Sequence, residues 1–399
     1  RFQNAVIRGF HTELETVYEE YNMSLVRDME KSINAMAKIL FPTHPYGTQT
    51  TLGTQEHLKN PSIVNIKNYY KRYYVPNNIA ICMSGDFDPD ATIALIDNYL
   101  GNWQPNNNLS RPEFPALKPL TAHKDSAVVG QEAENVMLGW RFAGEKELST
   151  DTLNVLARMM CNGKAGVMEL DLEQPMKVQA IQTFPYTQTD YSAYISVGVP
   201  AAGQQLEHVQ ALLLDAIEKM KRGEFDDDLL PSVKNNMKLE YYKSLLSNQS
   251  RADKFVESFV SGRNWDVAVN TIDRINGITK QQMVDFINRH FTDNYACVYK
   301  RQGVDTTLAK IDKPQITPIP ANRDKTSQFL KDIASSEAKP IQPVFLDLKK
   351  DVTVTKTRQG LPVIYKQNTS DGLFELMFCY DFGTEDVRGL DLVPPYPYS

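Results

Sequence analysis

The sequence predicts an α+β fold: two similar domains, each an antiparallel or mixed sheet packed with helices, followed by the opening strands of a third. Three observations carry this expectation. Strand and helix patterns arrive in blocks and include a hairpin, unlike the strict alternation of a doubly wound parallel sheet. The helix and strand grammar of the first hundred residues recurs in the middle of the chain. Two proline-rich stretches separate the pieces, one holding Pro105, Pro112, Pro115 and Pro119 and the other Pro314, Pro318, Pro320, Pro340 and Pro343. Prolines this dense favour a semi-rigid extended linker over packed structure. The expected boundaries are 1–103, a linker at 104–120, 121–302, a linker at 303–343, and 344–399.

The elements follow in order. Leu14, Val17, Tyr18, Tyr21, Leu25, Met29, Ile33, Met36 and Leu40 recur at helical spacing and predict one long helix. Pro42 and the turn-like His44-Pro-Tyr-Gly47 end it. Residues 61–74 read as a second helix, stopped by Val75-Pro-Asn-Asn78. Residues 79–84 read as a short apolar strand, and Asp88-Pro-Asp opens an amphipathic helix. In the middle piece 136–142 predicts a strand, 151–161 a helix, and 178–187 with 192–199 a pair of strands rich in β-branched and aromatic residues. Helices are expected over 206–222, 226–245, 251–260 and 280–290, and a closing strand over 294–300. A short helix is expected near 327–335. Strand candidates at 352–355, 361–365 and 373–380 begin the last piece.

Composition narrows the function classes. The chain has 399 residues, a formal net charge of −6, 42% hydrophobic and 23% charged residues, all ordinary for a globular protein. The acidic balance argues against a general binder of nucleic acid or anionic membrane. No apolar run reaches the ~18 residues of a membrane-spanning helix. Cys82, Cys161, Cys297 and Cys379 are scattered without a C-x-x-C pair and read as buried apolar positions. The chain opens at Arg1 without a signal-peptide pattern and reads as an internal piece of a longer protein.

Motif chemistry is sparse. There is no G-x-S-x-G, no G-x-x-x-x-G-K-[ST] and no G-x-G-x-x-G. Among His11, His44, His57, His123, His208 and His290 no two sit at i, i+4, so neither H-E-x-x-H nor H-x-x-E-H occurs, and each reads as structural or solvated. Cys161-Asn-Gly-Lys164 has the look of a nucleophile turn but is more simply a helix stop. Tyr69-Tyr-Lys-Arg-Tyr-Tyr74 interleaves bases and aromatic rings as single-strand readers do; its helical spacing favours a packed aromatic face. On the first helix Glu13 and Glu20 lie seven residues apart, on one face and ~10 Å apart along the axis. The apolar stripe beside them allows both to lie at the edge of a cleft, but on spacing alone a solvated acidic face is the stronger reading.

The order of these signals is itself informative. Glu13-x6-Glu20, Met23, Arg27-Asp28, His44-Pro-Tyr-Gly47, Tyr73-Tyr-Val-Pro-Asn-Asn78-Ile-Ala and Ser84-Gly-Asp-Phe resemble the pitrilysin/insulinase family of zinc metallopeptidases, the inverzincins with an inverted H-x-x-E-H motif. The resemblance covers nearly the whole chain and is most specific over 10–103. It implies a LuxS/metallopeptidase-like α+β fold in which 1–103 completes a first peptidase domain, 121–302 is a second, noncatalytic homologous domain, and 344–399 opens the second half. It implies a Zn2+ cofactor held by two histidines of H-x-x-E-H and by Glu20, with Glu13 supporting the site, and a glutamate general base acting on zinc-bound water. The motif itself is absent from this sequence and is expected upstream of Arg1, so the piece alone should be inactive. Implied partners are peptide substrates in a closed two-half chamber, and a second half fused or supplied by a homologous subunit. A catalytically inactive, structural or peptide-binding partner subunit is the other reading. The bacterial character of the resemblance admits a periplasmic or otherwise exported setting as well as a cytoplasmic one.

Overall fold

The structure, a computed structural model, describes residue 7 and residues 9–307, 324–338, 340, 342–369 and 372–380, excepting the His11 side chain. Prolines 314, 318 and 320 of the second linker and the final stretch 381–399 lie outside the described residues. The chain divides into two compact units, Arg1–Pro318 and Ile319–Ser399.

The first unit opens with α1 (Phe10–Val26), α2 (Asp28–Leu40), α3 (Pro45–Thr48), α4 (Gln55–Lys59), α5 (Ile63–Tyr73) and α6 (Pro89–Leu100). After an extended proline-rich segment come β1 (Lys124–Gly130), β2 (Asn135–Ala143), α7 (Ser149–Met160) and the hairpin of β3 (Ala180–Tyr186) and β4 (Tyr191–Val199). Then follow α8 (Leu206–Lys221), α9 (Leu229–Ser244), α10 (Asn248–Ser261), α11 (Trp265–Val269), α12 (Thr271–Gly277), α13 (Lys280–His290) and β5 (Tyr295–Gln302). The second unit holds α14 (Gln328–Ser335) and an antiparallel pair, β6 (Thr353–Lys356) and β7 (Pro362–Tyr365).

Three expected elements come out differently. The long first helix is broken at Arg27, whose extended backbone (φ −81°, ψ 109°) lets α2 leave the axis of α1. Residues 79–84 and 373–380 form no strand: an apolar run becomes a strand only through a ladder partner, and neither has one among the described residues. Of the four cysteines Cys297 is buried, Cys82 and Cys161 are half-buried, and Cys379 is exposed, so only part of that set is core.

The sheet has the order β1-β5-β2-β4-β3, with β1 parallel to β5 and the remaining pairs antiparallel. Successive strand residues point to opposite faces, and here both faces are covered. Leu138, Trp140, Tyr194 and Cys297 face the main core, where Leu153 and Leu156 of α7, Val209 and Leu213 of α8 and Ile287 of α13 meet them. Met137, Ile195, Ala296 and Val298 face the other way, onto Met36, Leu40 and Phe41 at the end of α2.

A buried ion pair fixes α2 on that second face. Asp28, 2% exposed, receives the Lys300 ammonium at 2.7 Å, and Lys300 is fully buried. The same carboxylate oxygen accepts the backbone N–H of Glu132 at 2.8 Å, while Lys300 also donates to the carbonyl of Glu132 and, at 3.2 Å, to that of Ala133. The break at Arg27 makes this possible, because it places Asp28 in the first turn of a helix aimed at the end of β1. Gly130 lies so close that a Cβ added there would stand 1.7 Å from Asp28 Oδ1. Gly130→Ala should therefore cost about 1–3 kcal/mol of stability through overpacking, readable as a lowered midpoint in thermal or urea unfolding.

Candidate functional site

Helix α1 carries the carboxylates singled out by spacing. Its inner side is held by Leu14 and Tyr18, both buried, and by the Tyr18 hydroxyl, which donates to the carbonyl of Leu58 in α4. Glu13 and Glu20 occupy the opposite side and both are exposed. The structure thus places the two on one helical face, as their spacing requires, but on an open face rather than at the edge of a buried cleft. Among the described residues no group of three or more His, Cys, Asp or Glu side chains comes close enough to hold a metal ion. Catalytic zinc sites use three protein ligands and keep a fourth position for water. The described residues therefore do not make a zinc site by themselves, and no hydrolytic step rests on them.

The described histidine side chains are engaged elsewhere or solvated. His44 is buried at the start of α3, where its Nδ1 accepts the N–H of Tyr46 and its Nε2 faces Asp190 at 3.2 Å. With Nδ1 accepting, Nε2 is the ring nitrogen that donates, and it ties the His44-Pro-Tyr-Gly47 turn to the β3–β4 hairpin. His57 completes a capping box with Thr54 on α4. His123 stands 2.9 Å from Asp293 and stacks on Tyr295. Burial, aided by the charge of Arg289, holds the His290 imidazole below its ordinary range. His208 is exposed.

The Cys161-Asn-Gly-Lys164 turn is not a nucleophile site. Burial pushes the Cys161 thiol up to about 12, which leaves no thiolate at neutral pH. Its loop is instead a backbone cage around a carboxylate. Glu169, 8% exposed, accepts N–H groups from Asn162 (3.0 Å), Gly163 (2.5 Å), Lys164 (3.3 Å) and Gly166 (2.7 Å). Gly163 takes a φ of +83°, a conformation that favours glycine, to turn its N–H inward. Glu169 also begins a single π-helical turn, Glu169–Glu173. Sequence reasoning missed this residue; its signal is the spacing of a carboxylate behind a loop holding two glycines.

Comparison with known proteins agrees with this architecture. Residues 63–237 match the family model described as the peptidase M16 inactive domain. The zinc protease PqqE of Helicobacter pylori is 24% identical over 226 residues, which are 54% of this chain and 50% of that protein. The chain therefore spans about half the length of that curated relative. Among solved structures, a protease from Helicobacter pylori superposes with a TM-score of 0.70 at 19% identity, covering 75% of this chain and 73% of that one. The periplasmic protease PqqL from Escherichia coli superposes with a TM-score of 0.59 at 12% identity, covering 90% of this chain and 42% of that one. Residues 63–237 are thus of the M16 inactive-domain type, and the chain is similar in sequence and in fold to zinc proteases of the M16 family, the pitrilysin/insulinase type.

Proposed function

We propose that the chain is part of a zinc metalloendopeptidase acting on short or unfolded peptides inside a chamber closed by two halves, and that α1 contributes Glu20 as the carboxylate ligand of the metal. The observation that supports this most is the placement of Glu13 and Glu20 on the free face of a helix whose other face is anchored. A ligand carboxylate needs both properties: an accessible oxygen and a backbone that does not move when the metal binds. Glu13, two turns earlier, is assigned to orienting the site. The reading takes the two imidazoles from outside this sequence, which carries no H-x-x-E-H. In it residues 1–103 complete the catalytic domain, 121–302 form the noncatalytic lobe that shapes the chamber, and 344–399 open the second half.

The test uses the intact protein. Glu20→Gln keeps the size of the side chain and removes its charge, so zinc content and peptide hydrolysis should fall together while the unfolding midpoint stays within about 1 °C, as for an exposed substitution. Stoichiometric zinc in that variant would overturn the ligand assignment. A second reading, a noncatalytic partner subunit with the same fold, is favoured by the inactive-domain match over 63–237. It predicts that the unaltered intact protein takes up no zinc at all.

A further inference from the structure

The sequence holds two Asn-Gly pairs, Asn162-Gly163 and Asn276-Gly277. Asparagine is chemically labile before glycine, because a glycine amide carries no side chain to keep it from the carboxamide of the residue before it. The two pairs are placed differently. Asn276-Gly277 closes α12, where the helical backbone turns the Gly277 amide along the helix axis and away from the Asn276 side chain. Asn162-Gly163 lies outside any helix, in the loop that leaves α7, and both residues are exposed to water.

The groups that would have to react at 162–163 are tied down by the Glu169 cage. The Gly163 N–H is held by Glu169 Oε1 at 2.5 Å, so losing its proton would set a second negative charge beside a buried carboxylate. The Asn162 N–H is held by the other carboxylate oxygen at 3.0 Å. The Asn162 side chain is fixed at both ends: Oδ1 accepts the N–H groups of Lys164 (3.1 Å) and Ala165 (2.9 Å), and Nδ2 donates to the carbonyl of Arg158 (3.2 Å). The Lys164 N–H is shared between Asn162 Oδ1 and Glu169, so the two sets of bonds hold or fail together.

We propose that Asn162 is a deamidation site which the Glu169 cage holds closed, so that local opening of this loop converts the residue irreversibly. In the opened loop the Gly163 nitrogen gives its proton to a solvent base and bonds to Asn162 Cγ. The Cγ–Nδ2 bond breaks, and Nδ2 leaves as ammonia with a proton taken from water. The succinimide so formed adds one water at either of its carbonyls and opens to aspartate or isoaspartate; water is the only co-reactant. Isoaspartate runs the main chain through Cγ and lengthens it by one carbon, so the N–H groups of residues 162, 163, 164 and 166 no longer converge on Glu169. A reversible local opening thereby leaves a permanent mark. The inference is independent of Glu20 and of the peptidase reading.

The test follows conversion by mass spectrometric peptide mapping of the intact protein in warm, mildly alkaline buffer, with a synthetic peptide of residues 158–169 as the unconstrained reference and Asn276 as the internal control. Asn162 should convert about tenfold or more slowly in the native protein than in the peptide, the protection that about 1.4 kcal/mol of cage stability confers. Glu169→Gln, which weakens the cage without emptying it, should speed conversion at Asn162 and leave Asn276 at its native rate. Asp28→Ala weakens the fold elsewhere and should not favour Asn162 over Asn276. Native protein carrying isoaspartate at 162, separated by ion exchange, should unfold at a lower midpoint than the unconverted form. Conversion of the native protein at the peptide's rate, a comparison that needs no variant, would overturn the proposal. So would an unchanged rate in Glu169→Gln, or equal acceleration of Asn162 and Asn276 in that variant when it keeps the native unfolding transition.

Discussion

Asp28→Ala should be among the most damaging single substitutions in the chain, costing about 3–5 kcal/mol, because it leaves the Lys300 ammonium buried without a counter-charge. It also strands the N–H of Glu132 and frees α2 from the sheet. Urea unfolding of the intact protein reads the loss. The companion experiment separates pairing from packing: Lys300→Met with Asp28→Asn removes both charges at similar volume and should recover much of the deficit. An additive double variant would mean that the pair contributes no coupling. The pair also makes stability depend on acid. Burial alone would push the Asp28 carboxyl up, but the hydrogen bond from Lys300, that from Glu132 and the charges of Lys300 and Lys31 outweigh it and hold the carboxyl below its usual range. A carboxyl held low contributes its stabilisation fully above the unfolded-state value of about 3.9. That contribution is lost as pH falls below it, through the lower folded-state value. In Asp28→Asn the slope of stability below about pH 4 should therefore be shallower.

Glu169→Ala should rank beside it. One carboxylate satisfies four backbone N–H groups of the loop that leaves α7, and each such donor left unpaired out of water costs about 1–3 kcal/mol. Water entering the vacated space will satisfy some of them, so a total of about 3 kcal/mol is expected rather than the full sum. Glu169→Gln keeps acceptor capacity on one oxygen only and should fall between. Hydrogen exchange at the Gly163 and Gly166 amides checks the cause: both should lose protection in Glu169→Ala, ahead of any change in the sheet amides. Protection unchanged at those amides would mean that the cage holds without its carboxylate.

Much of the architecture was legible because it is written in local periods. The 3.6-residue stripes of Asp28–Leu40 and Leu206–Lys221 and the alternation of Tyr191–Val199 give helices and strands within a few residues of those found. What stayed illegible needed a partner far away in sequence. Lys124–Gly130 carries a weak alternating pattern of an edge strand, and its parallel pairing with Tyr295–Gln302 has no local signal. The stripe of Met36 and Leu40 is visible, but not the sheet face it covers. Asp28 stood out only as part of a motif; that its carboxylate is buried against Lys300 depends on a break at Arg27 which the unbroken apolar stripe conceals. Of the candidate site, Glu13 and Glu20 could be found by spacing and by resemblance, since both lie on one turn-and-a-turn repeat of a single helix. Glu169 left only the faint signal of a carboxylate behind a two-glycine loop, because the backbone N–H groups it binds leave no trace in side-chain chemistry.

The cover that α2 lays over the sheet has a consequence for synthesis. Lys31 on that helix meets Asp305, 274 residues further along the chain, at 3.1 Å. A ribosome adding about 5–20 residues per second needs roughly 15–55 s to travel that distance. For that interval Met36, Leu40 and Phe41 have been made while the strand that completes their seat, with Ala296 and Val298, has not. The nascent polypeptide thus carries an unburied apolar ridge until that strand has emerged, and holdase chaperones should crosslink to residues 36–41 on stalled chains that end before position 295 and lose that contact on chains stalled well beyond 302.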